Sequence, residues 1–347
     1  MNIKNFKNTK NRLWLAAIAA IFTISSCIHK KTPQKQTQKN ETKTRVNTSI
    51  NAKKKGRENN PKQAIKKEEH FATIWIHGTR AHNLQDYLFT NFFYRKMGLH
   101  NVSEYLDKHN MRKIAHIMSR QKTTRFTLEN FFFFGWCGQL SHKKRKEAAQ
   151  ELHSTLLQFT DAYKAKHGVI PKIRLITHSH GGNVALNLGK INDKAENMLH
   201  ISELILLACP VQKKTAKLIT SKTFDKVYSL YSGLDILQVI DPQGLHDIKK
   251  TIKKRTKKPF FSKRTFKPQQ NLHQVKIKIN GRGILHVEFL VPKFALLLPY
   301  ILQEVDNWEK QEKHDTKAYK PDKLLKISIK NDTIKFHRKK LNTRRQG

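Results

Sequence analysis

Apolar positions along this chain fall into short runs separated by longer amphipathic stretches, and the first such run outside the N-terminus begins at Phe71. Phe71-Ala72-Thr73-Ile74-Trp75-Ile76 is nearly continuous in apolar character, the pattern of a strand buried on both faces, and it stops at His77-Gly78-Thr79. A helical stretch around residues 110–119 leads to a second run, Phe131-Phe132-Phe133-Phe134-Gly135-Trp136. Residues 143–167 then set Ala148, Leu152, Leu156, Leu157 and Phe159 or Tyr163 on one face, which predicts a long helix. Strands are expected at residues 173–177, 204–208 and 227–231, with a weaker, alternating one at 274–279. The last core helix is expected over about residues 288–308, where Pro292 and Pro299 require kinks or a late start. Strands alternating with helices imply an α/β fold: a mostly parallel sheet with helices on both faces. Residues 325–338 alternate around Asn331-Asp332, which suggests a hairpin at the edge.

One junction in this pattern carries chemistry. Ile173 to Leu188 reads IRLITHSHGGNVALNL, a strand followed by Thr177-His178-Ser179-His180-Gly181-Gly182 and an amphipathic run that starts a helix. A serine on a sharp strand-to-helix turn is exposed as a nucleophile, and the helix N-terminus faces the negative charge that develops there. The usual form of the turn is Gly-x-Ser-x-Gly, and Thr177 stands where the first glycine is expected. An ordinary junction with a capping serine fits the same residues, so the motif has to be weighed with its context.

The chain has 347 residues, 38% of them hydrophobic, enough for one sizeable domain with additional ends. Residues 2–12 carry four basic and no acidic side chains, and an apolar run from Leu13 to Ile24 leads to Ser25-Ser26-Cys27. That is a secretory signal in form, since a bilayer span needs about twenty apolar residues. Ile24-Ser25-Ser26-Cys27 also resembles the lipobox of bacterial lipoproteins, which implies lipidation of Cys27 as the mature N-terminus and an exported, membrane-anchored protein of the cell envelope. The expected organisation is a signal over residues 1–27, a basic linker over 28–69 too poor in large apolar groups to fold, a domain over 70–305, and a basic C-terminal extension over 306–347.

Net charge is +42, spread over all three of these later segments rather than confined to the ends. Such a surface is drawn to anionic membranes and other polyanions, although a proteome-wide lysine bias produces the same number. Nucleic acid is not an expected partner of an exported chain. The segment that begins at Asp247 and ends at Gln270 holds ten basic residues against one acid, and is either an anion-recruiting loop or a solvated insertion.

From about residue 70 to 305 the chain resembles the α/β-hydrolase superfamily, near its lipase and esterase branch. The residues that carry the resemblance are His77-Gly78-Thr79, the Ser179 elbow, Tyr231-Ser232-Gly233-Leu234-Asp235 after a later strand, and Gly281 to His286 near the end. Serine, aspartate and histidine come in the order this fold uses. The resemblance implies Ser179 as nucleophile, His286 as base and Asp235 as the acid that orients it, with backbone N–H groups of Thr79 and His180 as the oxyanion hole. It implies no cofactor, and an ester or lipid substrate. His273 and His246 remain alternatives for the base, and Asp241 for the acid. A metal cluster of His77, His178 and His180 is conceivable, but no acidic or cysteine partner completes it.

The strand order of that family would put Cys137 and Cys209 three strand spacings apart, about 14 Å, too far for a disulfide, so both are expected free and largely buried. Residues 86–99, DYLFTNFFYRKMGL, could line an acyl pocket or act as a lid, or pack as an ordinary helix. Two non-catalytic readings stay beside the hydrolase: a binding or scaffold lipoprotein that keeps the fold without turnover, favoured by the missing elbow glycine, and a basic envelope-tethering protein.

Overall fold

The computed structural model describes residues 70–79, 96–121, 125–239, 262–312, 322–330 and 333–341. Cys27 and the expected signal and linker lie outside them, as do His246, Asp241 and most of the aromatic segment 86–99.

Nine strands among the described residues form one sheet in the order β2-β3-β1-β4-β5-β6-β7-β8-β9. In chain order these are β1 (Phe71–Ile76), β2 (Gly98–Asn101), β3 (Phe131–Gly135), β4 (Lys172–His178), β5 (Ile201–Leu207), β6 (Val227–Tyr231), β7 (Leu272–Ile279), β8 (Lys323–Lys330) and β9 (Thr333–Lys340). The helices are α1 (Asn110–Ser119), α2 (His142–His167), α3 (Gly181–Asn192) and α4 (Pro292–Glu312). Seven strands run parallel, and only the edges β2 and β9 are antiparallel to their neighbours. This is an α/β fold.

Strand periodicity divides the core into two layers. In β4, Leu175 turns to one face and Ile176 to the other, as Leu206 and Ile205 do in β5. The first layer packs against Ala148, Leu152 and Leu156 of α2 and Val184 and Leu188 of α3. The second packs against Met111, Ile114 and Met118 of α1 and Leu298, Ile301 and Val305 of α4. Helix α2 starts where Ser141 accepts from the Lys144 N–H and stops at Gly168, whose φ of 72° is left-handed. It buries the stripe its 3.6 spacing predicted, while Leu157 and Phe159 are only partly buried beside it.

Helix α4 takes the late start: Pro292 opens it, and a short 3-10 turn, His286–Leu290, occupies the residues before it. The expected domain boundary at Val305 falls inside this helix and needs correction. Helix α4 continues to Glu312, Trp308 is buried, and β8 extends the main sheet parallel to β7, so described residues of the 306–347 segment complete the core. The β8–β9 hairpin lies at the sheet edge as expected, with Lys330 opposite Thr333. Strand β2 was not anticipated; Gly98 and Leu99, the end of the aromatic segment, open it.

Cys137 and Cys209 are both free, on opposite sides of the β1–β4 pair. Cys209 is buried, and burial pushes its thiol up to about 12, which makes it inert. Cys137 is half-buried, more open than expected.

Candidate active site

The turn between β4 and α3 carries backbone strain. Ser179 is held at φ 53°, a left-handed conformation rare for a residue with a side chain. Its N–H donates to the Leu207 carbonyl at 2.9 Å, and its own carbonyl accepts from Gly182 at 3.0 Å as α3 begins. Small neighbours make the turn possible. A Cβ at Gly181 would sit 2.5 Å from the His77 carbonyl oxygen, so the helix start can lie against the end of β1 only with glycine there.

Thr177, in the position where a first glycine is usual, is fully buried within β4, and its Oγ1–H donates to the Ile205 carbonyl at 3.2 Å. A β-branched side chain is well suited to this strand position, and its hydroxyl is satisfied.

His77-Gly78-Thr79 leads off the end of β1 and closes over the serine. A Cβ at Gly78 would lie 2.8 Å from the Ser179 Cβ, so glycine lets the loop approach the nucleophile position. The His77 ring holds the loop in place, with Nδ1 2.8 Å from the Gly78 carbonyl and Nε2 at 3.0 Å from the Trp136 carbonyl. The indole N–H of Trp136 returns a hydrogen bond to the His77 carbonyl at 2.8 Å. Thr79 follows immediately, and its buried hydroxyl meets no hydrogen-bond partner among the described residues.

Asp235 and His286 are 51 positions apart in sequence and meet at 2.8 Å, His286 Nδ1–H donating to Asp235 Oδ2. The other carboxylate oxygen accepts from the Gln238 N–H at 3.0 Å, so the aspartate is fixed at both ends within a buried setting. That assignment puts the proton on Nδ1 and leaves Nε2 of His286 with its lone pair. His286 lies against His178, the residue before Ser179. The His178 ring is centred 4.6 Å from its ring.

Burial holds His178 well below the usual histidine range, and His286 and His77 add to the effect. Burial does the same for His180, reinforced by Arg145, His286, His142 and His178. The two histidines beside the serine are therefore neutral at pH 7. No hydrogen bond joins Ser179 Oγ to His286 Nε2 among the described residues, and Ser179 is 7% exposed.

The remaining candidates separate from this group. His273 lies near the start of β7, at the other end of the sheet, with Nε2 3.2 Å from Glu309. His77 and His178 each direct a ring nitrogen at a backbone carbonyl, and among the described residues no group of three histidine, cysteine or acidic side chains could hold a metal.

Several supporting residues were not read from the sequence. Arg264 donates to the Ser232 carbonyl at 3.0 Å and the Asp235 carbonyl at 2.8 Å, so this cation of the basic segment braces the acid loop instead of facing an outside anion. Gln238 Nε2–H donates to the Cys209 carbonyl at 2.9 Å, and Ser232 Oγ accepts from both Leu234 and Ile284. Ser232 stood within the recognised Tyr231 to Asp235 motif; nothing in residue type marked Arg264.

No family profile and no curated protein matches the chain. Among solved structures it is similar to esterase PE8, at 15% identity and a TM-score of 0.34, covering 68% of this chain and 93% of the other. It is also similar to a Listeria innocua protein, the lin2722 product, at 11% identity and a TM-score of 0.34, covering 74% and 98%. At that TM-score neither alignment establishes a common fold, and the α/β assignment rests on the sheet itself.

Proposed function

We propose that this protein is a serine hydrolase of the carboxylesterase or lipase type, cleaving an ester of a lipid-like acyl chain through an acyl-enzyme on Ser179. The observation that carries the reading is the 2.8 Å pairing of Asp235 with His286, set against a serine held at φ 53° between two buried histidines. In this reading Ser179 Oγ adds to the carbonyl carbon while its proton passes to Nε2 of His286. Asp235, already holding Nδ1–H, stabilises the imidazolium. The oxyanion is met by the N–H groups of Thr79 and His180, each contributing roughly 3 to 4 kcal/mol. Collapse releases the alcohol, which takes the proton back from Nε2, and water repeats the sequence to free the acid. These steps need no cofactor.

The lipid character is supported by exposed apolar side chains beside the paired residues. Leu234 and Ile236 flank Asp235, and Val291 ends the 3-10 turn that begins at His286. The lipobox-like segment fits such a substrate, and we place the protein on a membrane of the cell envelope through acylated Cys27, with basic residues near the anionic surface. Replacing Cys27 by serine should move the protein from the membrane to the soluble fraction; a variant that stays bound overturns the anchor.

The missing Ser179–His286 hydrogen bond favours a second reading, a tethered binding or scaffold lipoprotein that does not turn over. A fluorophosphonate probe decides between them. It should label the wild type and leave Ser179→Ala unlabelled, and a well-folded wild type that takes no label supports the scaffold.

A further inference from the structure

His178 has no part in the proposed steps, yet it touches both the His286 loop and the His77-Gly78-Thr79 loop. It ends β4 next to Ser179, is 5% exposed, and its Nε2–H donates to the backbone carbonyl of His286 at 3.0 Å. Its ring lies 4.6 Å from the His286 ring at an angle of 54°. On its other side, a Cβ at Gly78 would sit 3.2 Å from Nδ1, so the same ring is packed against the His77-Gly78-Thr79 loop. The hydrogen bond to His286 and the packing on Gly78 are with main chain, which a substitution in the partner residue does not remove.

We infer that His178 is a positioning residue that fixes the backbone of His286 to the serine turn. The inference rests on the hydrolase reading. Asp235 holds the His286 ring through Nδ1 only, and a ring held by one hydrogen bond can still move with its loop. The loop after β7 begins with Asn280 at φ 48° and Gly281 at φ 81°, and among the described residues its tie to the serine turn is the His178 bond to the His286 carbonyl. With both ends held, Nε2 is placed by the fold and not by the substrate. Donation from Nε2 requires the proton on that nitrogen, and burial keeps the ring neutral while His286 gains charge during the reaction.

The test uses three variants of the full chain. His178→Phe keeps the ring and its packing and removes the donor, His178→Leu removes both, and His178→Gln retains an N–H close to the Nε2 position. With p-nitrophenyl butyrate and a fluorophosphonate probe, Phe and Leu should each lose about 100-fold in kcat and in labelling rate, as a displacement near 1 Å does, with KM unchanged. Gln should recover to within about tenfold. Equal losses in all three, or wild-type rates in His178→Phe, overturn the assignment.

Imidazole nitrogen NMR of the wild type supplies a readout that needs neither activity nor a folded variant. His178 should be a neutral Nε2–H tautomer at pH 7, and an Nδ1–H tautomer overturns the inference. A folded wild type that is neither labelled nor active, yet shows the Nε2–H tautomer, sinks the hydrolase reading and reduces the contact to a structural one.

Discussion

At the scale of single residues, the nucleophile turn depends on which side chains can sit beside a left-handed serine. Thr177 replaces a usual glycine without penalty because its side chain points into the β4–β5 ladder, where its hydroxyl has a carbonyl to donate to. Thr177→Gly should therefore destabilise the protein by about 2 kcal/mol, roughly half from the lost hydrogen bond and half from glycine in a strand, with no gain in labelling rate. Urea unfolding and probe kinetics check the two parts. Gly181→Ala is the opposite case, since its Cβ would meet the backbone of His77 at 2.5 Å and nothing flexible can give way. A loss of about 3 kcal/mol or more is expected in the same unfolding assay. Asp235→Asn should keep the fold and lower kcat by about four orders of magnitude. The Gln238 N–H requires an acceptor at the Oδ1 position, so the new amide presents its N–H to His286 Nδ1 and drives the proton to Nε2. Ser179, Asp235 and His286 were expected from the α/β-hydrolase resemblance, and of these the Asp235–His286 pair is in contact. The role of His178 was not legible in the sequence, because spacing says nothing about which way a side chain turns.

At the scale of elements, the aspartate and histidine loops act as one unit. Ser232 Oγ accepts from Leu234 at 3.2 Å within its own loop and from Ile284 at 2.9 Å in the other, while Arg264 binds the carbonyls of Ser232 and Asp235. Ser232→Ala leaves the buried Ile284 N–H without a partner, a cost of about 1 to 3 kcal/mol. Faster amide exchange at Ile284 and a several-fold lower kcat are expected, and unchanged exchange would show that the loops are held by packing alone. The elements themselves were largely legible. Runs such as Leu204 to Leu207 are apolar on both faces, and the α2 stripe repeats at helical spacing. Two misplacements have plain causes. Gly98 to Asn101 is a short edge strand whose hydrogen bonds come from β3, not from its own propensity. The boundary at Val305 was set where the α/β-hydrolase resemblance ended, and the chain after it buries Trp308, Leu325 and Ile327.

At the scale of the whole molecule, a chain of charge +42 has few carboxylates, and it gathers several at the sheet end away from Ser179. Arg125, Arg174 and Lys226 meet Glu203, Asp306 and Glu309 there, three charges of each sign drawn from five separate segments. Arg125 and Asp306 are 181 positions apart, which is why no sequence pattern announced the cluster. Asp306 is the hub: Arg125 and Lys226 each reach it at 2.6 Å, and the Tyr228 hydroxyl donates to it as well. Burial works to raise its carboxyl, but Arg125 and the hydrogen bonds from Lys226, Tyr228 and Arg125 outweigh this and hold it below the ordinary carboxylate value of 3.8. A carboxyl depressed by folding stabilises the protein fully above its unfolded pKa, and that contribution is lost as pH falls through the lower, folded value. Asp306→Asn should thus cost about 3 kcal/mol at pH 7, because Arg125 and Lys226 are left partly buried with less opposing charge. The difference from wild type should narrow steadily as pH is lowered below 4, since the wild-type carboxyl then takes up its proton as well. Urea midpoints of the two proteins at pH 7, 5 and 3 measure this, and a gap that stays constant to pH 3 would show that Asp306 contributes through shape and hydrogen bonding, not through charge.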